Sequence, residues 1–369
     1  MKHIVLVGNT AWSMYNFRAG LIRGLLENGY RVSVVAPADN EFAKRIQEIG
    51  AAFIDVQMEA KGTNPIKDLW LFVRLRRIFH AAKPDFVFFY TIKPNIYGSI
   101  AAHILGIPHI AITTGLGYTF LNNNIVAKIA RRLYKFAFKS PKEVWFLNRE
   151  DFESFLQYHL ISESKGYILK GEGINLERFA KSNNQSNDVT FLLMARMLWD
   201  KGVGEYVEAA RILKVQYPAV QFKLLGFMGV DNPSAISEHQ MSIWQKEGVV
   251  EYLGSTSDVV PFVAAASCVV LPSYREGVPI TLLEAAAMCK PIVTTDSIGC
   301  RDTVDDGKTG YMCHVKDVLS LKTALEKIVL MTPAQRQAMG VAGREKMEAE
   351  FDEQLVVKTY IGTLKKYNI

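Results

Sequence analysis

The sequence lacks the short motifs that identify several large classes of enzyme. It has no Gly-x-x-x-x-Gly-Lys-Ser/Thr phosphate loop, no Gly-x-Ser-x-Gly elbow of the serine hydrolases and no Asp-x-Asp. No two of its 7 histidines have the spacing of metal ligands. These absences argue against a P-loop NTPase, a serine hydrolase and a metalloenzyme, and we expect no metal and no cofactor.

Long apolar runs are also missing, and cysteine is scarce. No run approaches the roughly 20 residues that a spanning helix needs. Lys2 and His3 lead directly into a strand-like run, without a signal peptide. The 4 cysteines form no Cys-x-x-Cys pair, and scattered thiols of this kind are typical of a reducing, cytosolic compartment. We therefore expect a cytoplasmic protein that does not cross a membrane.

What the sequence does contain is a repeated alternation of short apolar runs and amphipathic stretches. Strand-like runs such as 3–8 and 31–36 alternate with helix-like stretches such as 67–82. This alternation predicts a parallel sheet covered on both faces. The polar segment 180–188 interrupts the pattern, which then restarts. At 369 residues the chain is long enough for two domains, so we predict an α/β fold of two doubly wound domains facing across a cleft.

Charge is distributed unevenly between the two halves of the chain. Residues 1–175 contain 22 Lys/Arg and 14 Asp/Glu, whereas residues 176–369 contain 21 and 23. The basic first half indicates an acidic partner, such as a membrane surface, a nucleic acid or a phosphorylated acceptor. No segment resembles a nucleic-acid recognition motif, so we do not expect nucleic acid to be that partner.

Two helix-like stretches of the first half, 67–82 and 125–138, carry a basic face and an apolar stripe. Such faces suit docking on anionic lipid, which would place the protein peripherally on the inner face of the cell membrane. The alternative is a solvated charged face on a helix that packs against its own core. The candidate membrane-surface residues are Trp70, Arg74, Arg77, Lys128, Arg131, Arg132, Lys135 and Lys139.

The most informative stretch lies in the second half, at 267–287. A strand-like run ends in a Gly/Pro-bearing turn that holds Glu276, and an Ala/Leu-rich helix follows with Glu284 eight residues later. The start of such a helix can bind an anion, while carboxylates can accept hydrogen bonds from sugar hydroxyls. A site for both an anion and hydroxyls predicts a nucleotide sugar as ligand.

Further candidates follow other predicted strands of the second half. Arg196 and Lys201 flank a turn after the strand that opens the domain, where two cations can neutralise a diphosphate. Gly226 and Gly254 each end a strand, and the turn at Gly254 could present backbone groups to a nucleobase. Surface cations and ordinary tight turns are the alternatives.

In the first half, three loops follow strands and therefore lie where doubly wound sheets bind ligands. A lysine in one of these turns could contact an acceptor phosphate, or it could be an exposed turn residue. The candidate acceptor-binding residues are Asn9, Asn16, Arg18, Lys93, Gly115 and Gly117, with Asn16 and Arg18 expected at the start of a helix.

Taken together, these motifs resemble the retaining family-four glycosyltransferases of the GT-B fold over essentially the whole chain. A closer likeness, carried by Ala195–Val203, Leu271–Gly277, Gly299-Cys300 and Gly115-Leu116-Gly117, is to bacterial enzymes of protein N-glycosylation, O-antigen and capsule pathways. Those enzymes transfer N-acetylgalactosamine and related sugars to an undecaprenyl-diphosphate-linked sugar. The resemblance implies a UDP-sugar donor and a polyprenyl-diphosphate-linked acceptor.

The resemblance also implies domain bounds and residue roles. It implies an acceptor-binding domain at 1–175, a nucleotide-sugar-binding domain at 176–350 and a C-terminal helix at 351–369 that could pack back on the first domain. Residues matching Arg196 and Lys201 hold the donor diphosphate, and one matching Glu276 lies near the donor sugar; we take all three as catalytic. Further donor contacts fall on Gly277, Val278, Pro279, Ile280 and Glu284, the last at the ribose.

The sequence departs from the family in two places. Gly8-Asn9-Thr10-Ala11 stands where many members have a Gly-Gly loop, and Thr91-Ile92-Lys93 contains no counterpart of their first-domain histidine. The group that activates the acceptor is therefore unassigned, and a front-face displacement in which the leaving diphosphate takes the proton needs none. A UDP-sugar epimerase of the same fold and a non-catalytic nucleotide-sugar-binding protein are the alternatives.

Overall fold

The computed structural model describes residues 1–59, 64–115, 125–183, 186 and 188–369. Over these residues the chain divides into two compact units. The first contains residues 1–173 together with 353–369, and the second contains residues 174–352. Each unit is built on one parallel β-sheet with its own buried apolar core.

The first unit contains a seven-stranded sheet in the order β3-β2-β1-β4-β5-β6-β7. Its strands are β1 (His3–Val7), β2 (Arg31–Ala36), β3 (Ala52–Asp55), β4 (Phe86–Tyr90), β5 (His109–Thr113), β6 (Glu143–Phe146) and β7 (Gly166–Ile168). Its helices before the second unit are α1 (Ala11–Glu27), α2 (Asn40–Glu48), α3 (Pro65–Ala82), a π-helical turn (Pro94–Gly98), α4 (Ser99–Ile104), α5 (Ile125–Ala137) and α6 (Arg149–Gln157).

The second unit contains a six-stranded sheet in the order β10-β9-β8-β11-β12-β13. Its strands are β8 (Thr190–Met194), β9 (Gln221–Leu225), β10 (Glu251–Tyr252), β11 (Cys268–Leu271), β12 (Ile292–Thr295) and β13 (Gly310–Cys313). Its helices are α7 (Val203–Gln216), α8 (Glu238–Lys246), α9 (Val260–Ala265), α10 (Ile280–Ala287), α11 (Val318–Leu330) and α12 (Pro333–Lys346), with a π-helical turn at Met347–Phe351. Helix α13 (Glu353–Lys366) returns to the first unit.

The predicted α/β class is confirmed, and its physical basis is visible in the strands. Strand β4 reads Phe-Val-Phe-Phe-Tyr and is buried at every position, as a central parallel strand covered on both faces must be. In each sheet the strand order reverses once, between β1 and β4 in the first and between β8 and β11 in the second. Ligands of doubly wound sheets bind outside the carboxyl ends of the strands at such a reversal.

The start of α1 differs from the prediction. Asn16 and Arg18 lie inside this helix rather than at its start, because α1 already begins at Ala11. Thr10 caps it: the Thr10 hydroxyl oxygen accepts a hydrogen bond from the Ser13 N–H at 3.1 Å. The cap is a one-residue signal, and it lies upstream of the periodic stretch from which the helix was predicted.

Helix α5 also differs from the prediction, in the side chains that it buries. Ile129 and Phe136, which share the predicted apolar stripe with Ala137, are 52% and 62% exposed. Ala137 is buried, as that stripe predicts, and Tyr134, which lies outside the stripe, is buried as well. Among the described residues, no helix is both long enough and apolar enough to span a membrane.

Candidate active site

The strand-order reversal of the second sheet brings together three of the predicted site residues. Arg196 lies two residues beyond the end of β8, and Lys201 follows in the short turn that leads to α7. Glu276 lies in the loop between β11 and α10. Strands β8 and β11 are hydrogen-bonded neighbours, so the loops at their carboxyl ends lie side by side.

Lys201 and Glu276 form an ion pair between the Lys201 ammonium and a Glu276 carboxylate oxygen. Both side chains are largely buried, so the pair is less screened by solvent than a surface ion pair. Arg196, by contrast, is exposed and has no ion-pair partner among the residues that the structure describes. Of the two predicted cations, Arg196 is therefore accessible to an anion, and Lys201 is held by a carboxylate.

The turn that carries Lys201 is held by two other segments. The N–H groups of Trp199 and Asp200 donate to the carbonyl and hydroxyl oxygens of Ser234, at 2.8 and 3.0 Å. Gly202 ends the turn with φ of +71°, and a Cβ there would lie 2.1 Å from the Pro272 carbonyl oxygen. This close approach packs the turn directly against the start of the loop after β11.

The loop after β12 fixes the position of Glu276. The Glu276 N–H donates to the Ile298 carbonyl at 3.0 Å, and the Ser297 hydroxyl donates to the Ser273 carbonyl at 3.1 Å. Gly299 approaches so closely that a Cβ would lie 2.3 Å from the Gly277 carbonyl oxygen and 2.6 Å from that of Glu276. The geometry around Glu276 thus depends on a segment more than twenty residues further along the chain.

Helix α10 begins directly after this loop, so Gly277, Val278, Pro279 and Ile280 form its approach and first turn. Pro279 is the residue before the helix, and no side chain caps the helix start. Uncapped N–H groups and the helix dipole make such a start suitable for an anion. Glu284 lies one turn further on, and burial raises its pKa to about 7 against the opposing effect of Arg178.

Gly226 and Gly254, two further donor-site candidates, are brought together at the ends of β9 and β10. The Gly226 N–H donates to the Gly254 carbonyl at 2.8 Å, and the Tyr252 hydroxyl donates to the Gly226 carbonyl at 2.8 Å. Both glycines therefore lie at the same carboxyl edge of the sheet as Arg196. Within the described residues, no group of three or more His, Cys, Asp or Glu side chains could hold a metal ion.

The candidate acceptor residues of the first unit lie in different surroundings. Asn9 follows β1 and accepts a weak hydrogen bond from the Ser13 hydroxyl at 3.5 Å, while the Asn16 amide donates to the Trp12 carbonyl of its own helix. Arg18 is buried, with its guanidinium 2.5 Å from Glu172 and 3.8 Å from the ring centre of Tyr90. These partners favour a structural role for Arg18.

Lys93 is also paired, and the pairing was not foreseen. Its ammonium lies 2.9 Å from one oxygen of the Asp68 carboxylate, and the other oxygen accepts a hydrogen bond from the Tyr97 hydroxyl at 2.9 Å. No local sequence signal links Lys93 to a carboxylate on α3. Gly115 follows β5 with φ of +137°, and Gly117 lies outside the described residues.

The candidate membrane-surface residues divide between α3 and α5. On α3, Trp70 is 54% exposed and Arg77 is exposed, whereas Arg74 is half-buried and donates to the Gln57 carbonyl. On α5, Lys128, Arg132 and Lys135 are exposed, as is Lys139 just after the helix, and Arg131 packs over the ring of Tyr158. The exposed cations of α5 share its solvent side with Ile129 and Phe136.

Comparison with known proteins gives matches along both halves of the chain. Residues 175–346 match the family described as glycosyl transferases group 1, and residues 3–148 match the family described as glycosyl transferase 4-like. The chain is 30% identical, over 95% of its length and 94% of the relative, to the N,N'-diacetylbacillosaminyl-diphospho-undecaprenol alpha-1,3-N-acetylgalactosaminyltransferase of Campylobacter jejuni subsp. jejuni serotype O:2.

Two further matches are more distant. The UDP-Gal:alpha-D-GlcNAc-diphosphoundecaprenol alpha-1,3-galactosyltransferase of Escherichia coli is 24% identical over 71% of both chains. The crystal structure of Anabaena HepE in complex with UDP-glucose superimposes with a TM-score of 0.82, covering 99% of this chain and 100% of that one at 16% identity. The likeness to HepE concerns the fold.

Proposed function

The chain belongs to the group 1 glycosyl transferases, enzymes of the GT-B fold, and from that premise we propose that it transfers a sugar from a UDP-sugar to a polyprenyl-diphosphate-linked acceptor. The observation that carries this proposal is the meeting of Arg196, Lys201 and Glu276 at the strand-order reversal of the second sheet. Two relatives, at 30% and 24% identity, are named for acceptors linked to undecaprenol through a diphosphate.

In the proposed mechanism the donor diphosphate lies between Arg196, Lys201 and the start of α10. Lys201 exchanges its contact with Glu276 for the diphosphate, which releases the Glu276 carboxylate to accept hydrogen bonds from the donor sugar. The two cations stabilise the charge that grows on the diphosphate as its bond to the sugar breaks. The acceptor oxygen bonds to the same face of the sugar, and its proton passes to the departing diphosphate oxygen.

We take the donor sugar to be N-acetylgalactosamine and the new bond to be an alpha-1,3 linkage. The support is the 30% identity over nearly the whole chain to a transferase named for that sugar and bond. Galactose is the competing donor, because the second relative is named for it. Release of UDP from a panel of UDP-sugars, with a short-chain polyprenyl-diphosphate-linked sugar as acceptor, identifies the donor. Preference for UDP-galactose would overturn this assignment and leave the transferase function standing.

We also propose that the first unit binds the anionic inner surface of the cell membrane, where a polyprenyl-linked acceptor resides. Helix α5 supports this, because Ile129 and Phe136 are exposed among Lys128, Arg132, Lys135 and Lys139. Apolar side chains among cations are typical of helices that lie in a lipid interface. The protein would then be cytoplasmic and peripheral.

Sedimentation with lipid vesicles tests the membrane proposal. We expect binding to vesicles containing phosphatidylglycerol, weaker binding to neutral vesicles, and loss of binding in Phe136→Ser and Lys135→Glu. The control is Lys308→Glu, which makes the same charge change at an exposed turn of the second unit. Equal binding by Lys135→Glu and Lys308→Glu would contradict a role for α5.

A further inference from the structure

The first unit contains a cavity of about 650 Å³ beside the ends of β2 and β3 and against helix α3. Its size is that of a pocket for a small ligand. Trp70 forms part of the wall, and six charged side chains form much of the rest. These are Asp55, Glu59, Lys67, Asp68, Arg74 and Lys93. Lys93 thus lines the same cavity as Trp70 and Arg74, two of the candidate membrane-surface residues.

The positive and negative side chains of this cavity are equal in number, and this balance favours an uncharged ligand. Three cations face three carboxylates, and two of the cations are held in ion pairs, Lys93 with Asp68 and Lys67 with Glu59. A diphosphate would have to displace both carboxylates, and it offers them no hydroxyl to bind in exchange. An uncharged ligand, by contrast, keeps these ion pairs intact.

The best-defined polar group of the cavity is the Lys93–Asp68 pair. The carboxylate is anchored by the Tyr97 hydroxyl at 2.9 Å as well as by the ammonium. Burial and the neighbouring Asp68 raise the pKa of Tyr97, which therefore remains a donor to the carboxylate. An ammonium beside a carboxylate offers hydrogen-bond donors and acceptors a few ångströms apart, as two neighbouring hydroxyls of a sugar ring require.

Trp70 supplies an apolar surface at the same cavity. Its side chain is 54% exposed, so much of the indole is accessible to a ligand in the cavity. An indole face packs well against the C–H face of a pyranose ring, while the hydroxyls at the ring edge remain available for hydrogen bonds. The combination of an aromatic wall and a few fixed polar groups is typical of small-molecule sites.

The backbone before Lys93 is strained. Thr91 has φ of +68°, in the left-handed region that a β-branched residue rarely adopts. Lys83, His159, Cys289 and Asn368 share this region just after helices, where a left-handed residue is ordinary, and Lys316 shares it in the turn before α11. Thr91 instead directly follows β4 at the strand-order reversal, and a π-helical turn begins at Pro94. Strain and π-helical turns of this kind concentrate at functional sites.

We propose that this cavity binds an uncharged sugar of the acceptor, with the Lys93–Asp68 pair contacting two neighbouring hydroxyls and Trp70 stacking on the ring. The inference rests on the proposed transferase function. It differs from the expectation that Lys93 contacts the acceptor phosphate, because a phosphate that took Lys93 would leave the buried Asp68 carboxylate without its cation.

Ligand-observed NMR on the full chain tests the sugar specificity directly. The probes are a methyl N-acetylhexosaminide and inorganic pyrophosphate, with UDP present to fill the proposed donor site. We expect glycoside binding to weaken about tenfold in Trp70→Ala and Lys93→Met, and pyrophosphate binding to be unchanged. Tyr167→Ala, which removes a 41% exposed aromatic side chain from edge strand β7, is the control. Normal glycoside binding by Trp70→Ala, or loss of pyrophosphate binding alone in Lys93→Met, would overturn the proposal.

Steady-state kinetics separate this inference from the proposed function. In the same variants we expect the KM for the lipid-linked acceptor to rise about tenfold, with kcat and the KM for the donor unchanged. An unchanged acceptor KM in an active enzyme would refute the acceptor assignment. Trp70-dependent glycoside binding in a protein that releases no UDP would instead refute the transferase proposal, while supporting sugar binding by the cavity.

Discussion

Among single residues, the Lys201–Glu276 ion pair explains how two charged side chains are accommodated in a largely buried site. Taking either charge out of water alone would be costly, and the ion pair offsets that cost until a ligand arrives. A donor with a diphosphate and a hydroxyl-bearing sugar satisfies both groups at once. A ligand that offers only one of these features leaves the other group buried without its partner, and we expect it to bind more weakly.

Glu284 gives a prediction of pH dependence. Burial raises its pKa to about 7, so the carboxylate is protonated below that pH and ionised above it. If Glu284 accepts hydrogen bonds from the donor ribose, donor affinity falls as the pH falls through about 7. We expect the Kd of a UDP-sugar, measured calorimetrically from pH 5.5 to 8.5, to rise at acid pH.

Glu284→Gln provides the matched control for this titration, since the amide keeps the shape and cannot ionise. The variant should bind more weakly than the wild-type protein at high pH and should lose the dependence around pH 7. A UDP-sugar is the appropriate ligand because UDP has a phosphate that titrates in the same range. An identical pH profile in both proteins would contradict the role given to Glu284.

What the sequence could predict at this scale was residue type and place along the chain. Arg196, Lys201 and Glu276 each follow a predicted strand, and that is enough to place them at one edge of a sheet. The contact between Lys201 and Glu276 could not be predicted, because the two residues are far apart in sequence and the strand order was unknown. For the same reason, the sequence did not predict that Asp68 pairs with Lys93 or that Glu172 pairs with Arg18.

At the scale of elements, the loops after β11 and β12 form one supporting unit for Glu276. We predict that Gly299→Ala disrupts it, because the added methyl group would lie 2.3 Å from the Gly277 carbonyl oxygen. The loop must move, and Glu276 moves with it. We expect the free energy of unfolding to fall by about 2 kcal/mol and kcat to fall about tenfold. Urea denaturation and the UDP-release assay measure the two effects.

Gly307→Ala is the control that separates the effect of backbone strain at a positive φ from the effect of displacing a neighbouring loop. Gly307 has φ of +76°, close to the +77° of Gly299, and a Cβ there would meet no atom within 4 Å. We therefore expect about 1 kcal/mol of destabilisation and unchanged kcat. Equal loss of kcat in the two variants would show that Gly299 does not act through Glu276.

The elements themselves were largely readable from the sequence, since buried parallel strands and amphipathic helices leave strong patterns. The failures have local causes. Helix α1 begins earlier than predicted because a single cap at Thr10 sets its start. The buried face of α5 was predicted only in part: Ala137 packs inward, whereas Ile129 and Phe136 do not, because periodicity cannot say how much of an apolar stripe the core covers. The π-helical turns at Pro94–Gly98 and Met347–Phe351 have no signal in the sequence.

At the scale of the whole molecule, the first unit is assembled from both ends of the chain. Tyr360 of α13 is buried, with its ring centre 4.7 Å from that of Phe88 and 4.8 Å from that of Trp145. Its hydroxyl lies 3.0 Å from that of Tyr90. Tyr360→Ala should therefore lower the free energy of unfolding by about 4 kcal/mol. Tyr360→Phe, which keeps the ring, should cost about 1 kcal/mol.

Urea unfolding of both variants, followed by tryptophan fluorescence, measures this contribution. Because Trp145 contacts Tyr360 directly, its emission reports on the first unit. A Tyr360→Ala variant as stable as Tyr360→Phe would show that α13 adds little to that unit. A much lower free energy of unfolding in Tyr360→Ala would show that α13 is required for the stability of the first unit.

We propose above that Arg196, Lys201 and Glu276 form the donor site of a sugar transferase. Acceptor-dependent release of UDP from UDP-N-acetylgalactosamine in the presence of EDTA tests this proposal. We expect release by the wild-type protein and by Lys308→Ala, and a loss of at least about 100-fold in Lys201→Ala and Glu276→Gln. Full activity in either site variant, or no acceptor-dependent release from any UDP-sugar by the wild-type protein, would contradict it.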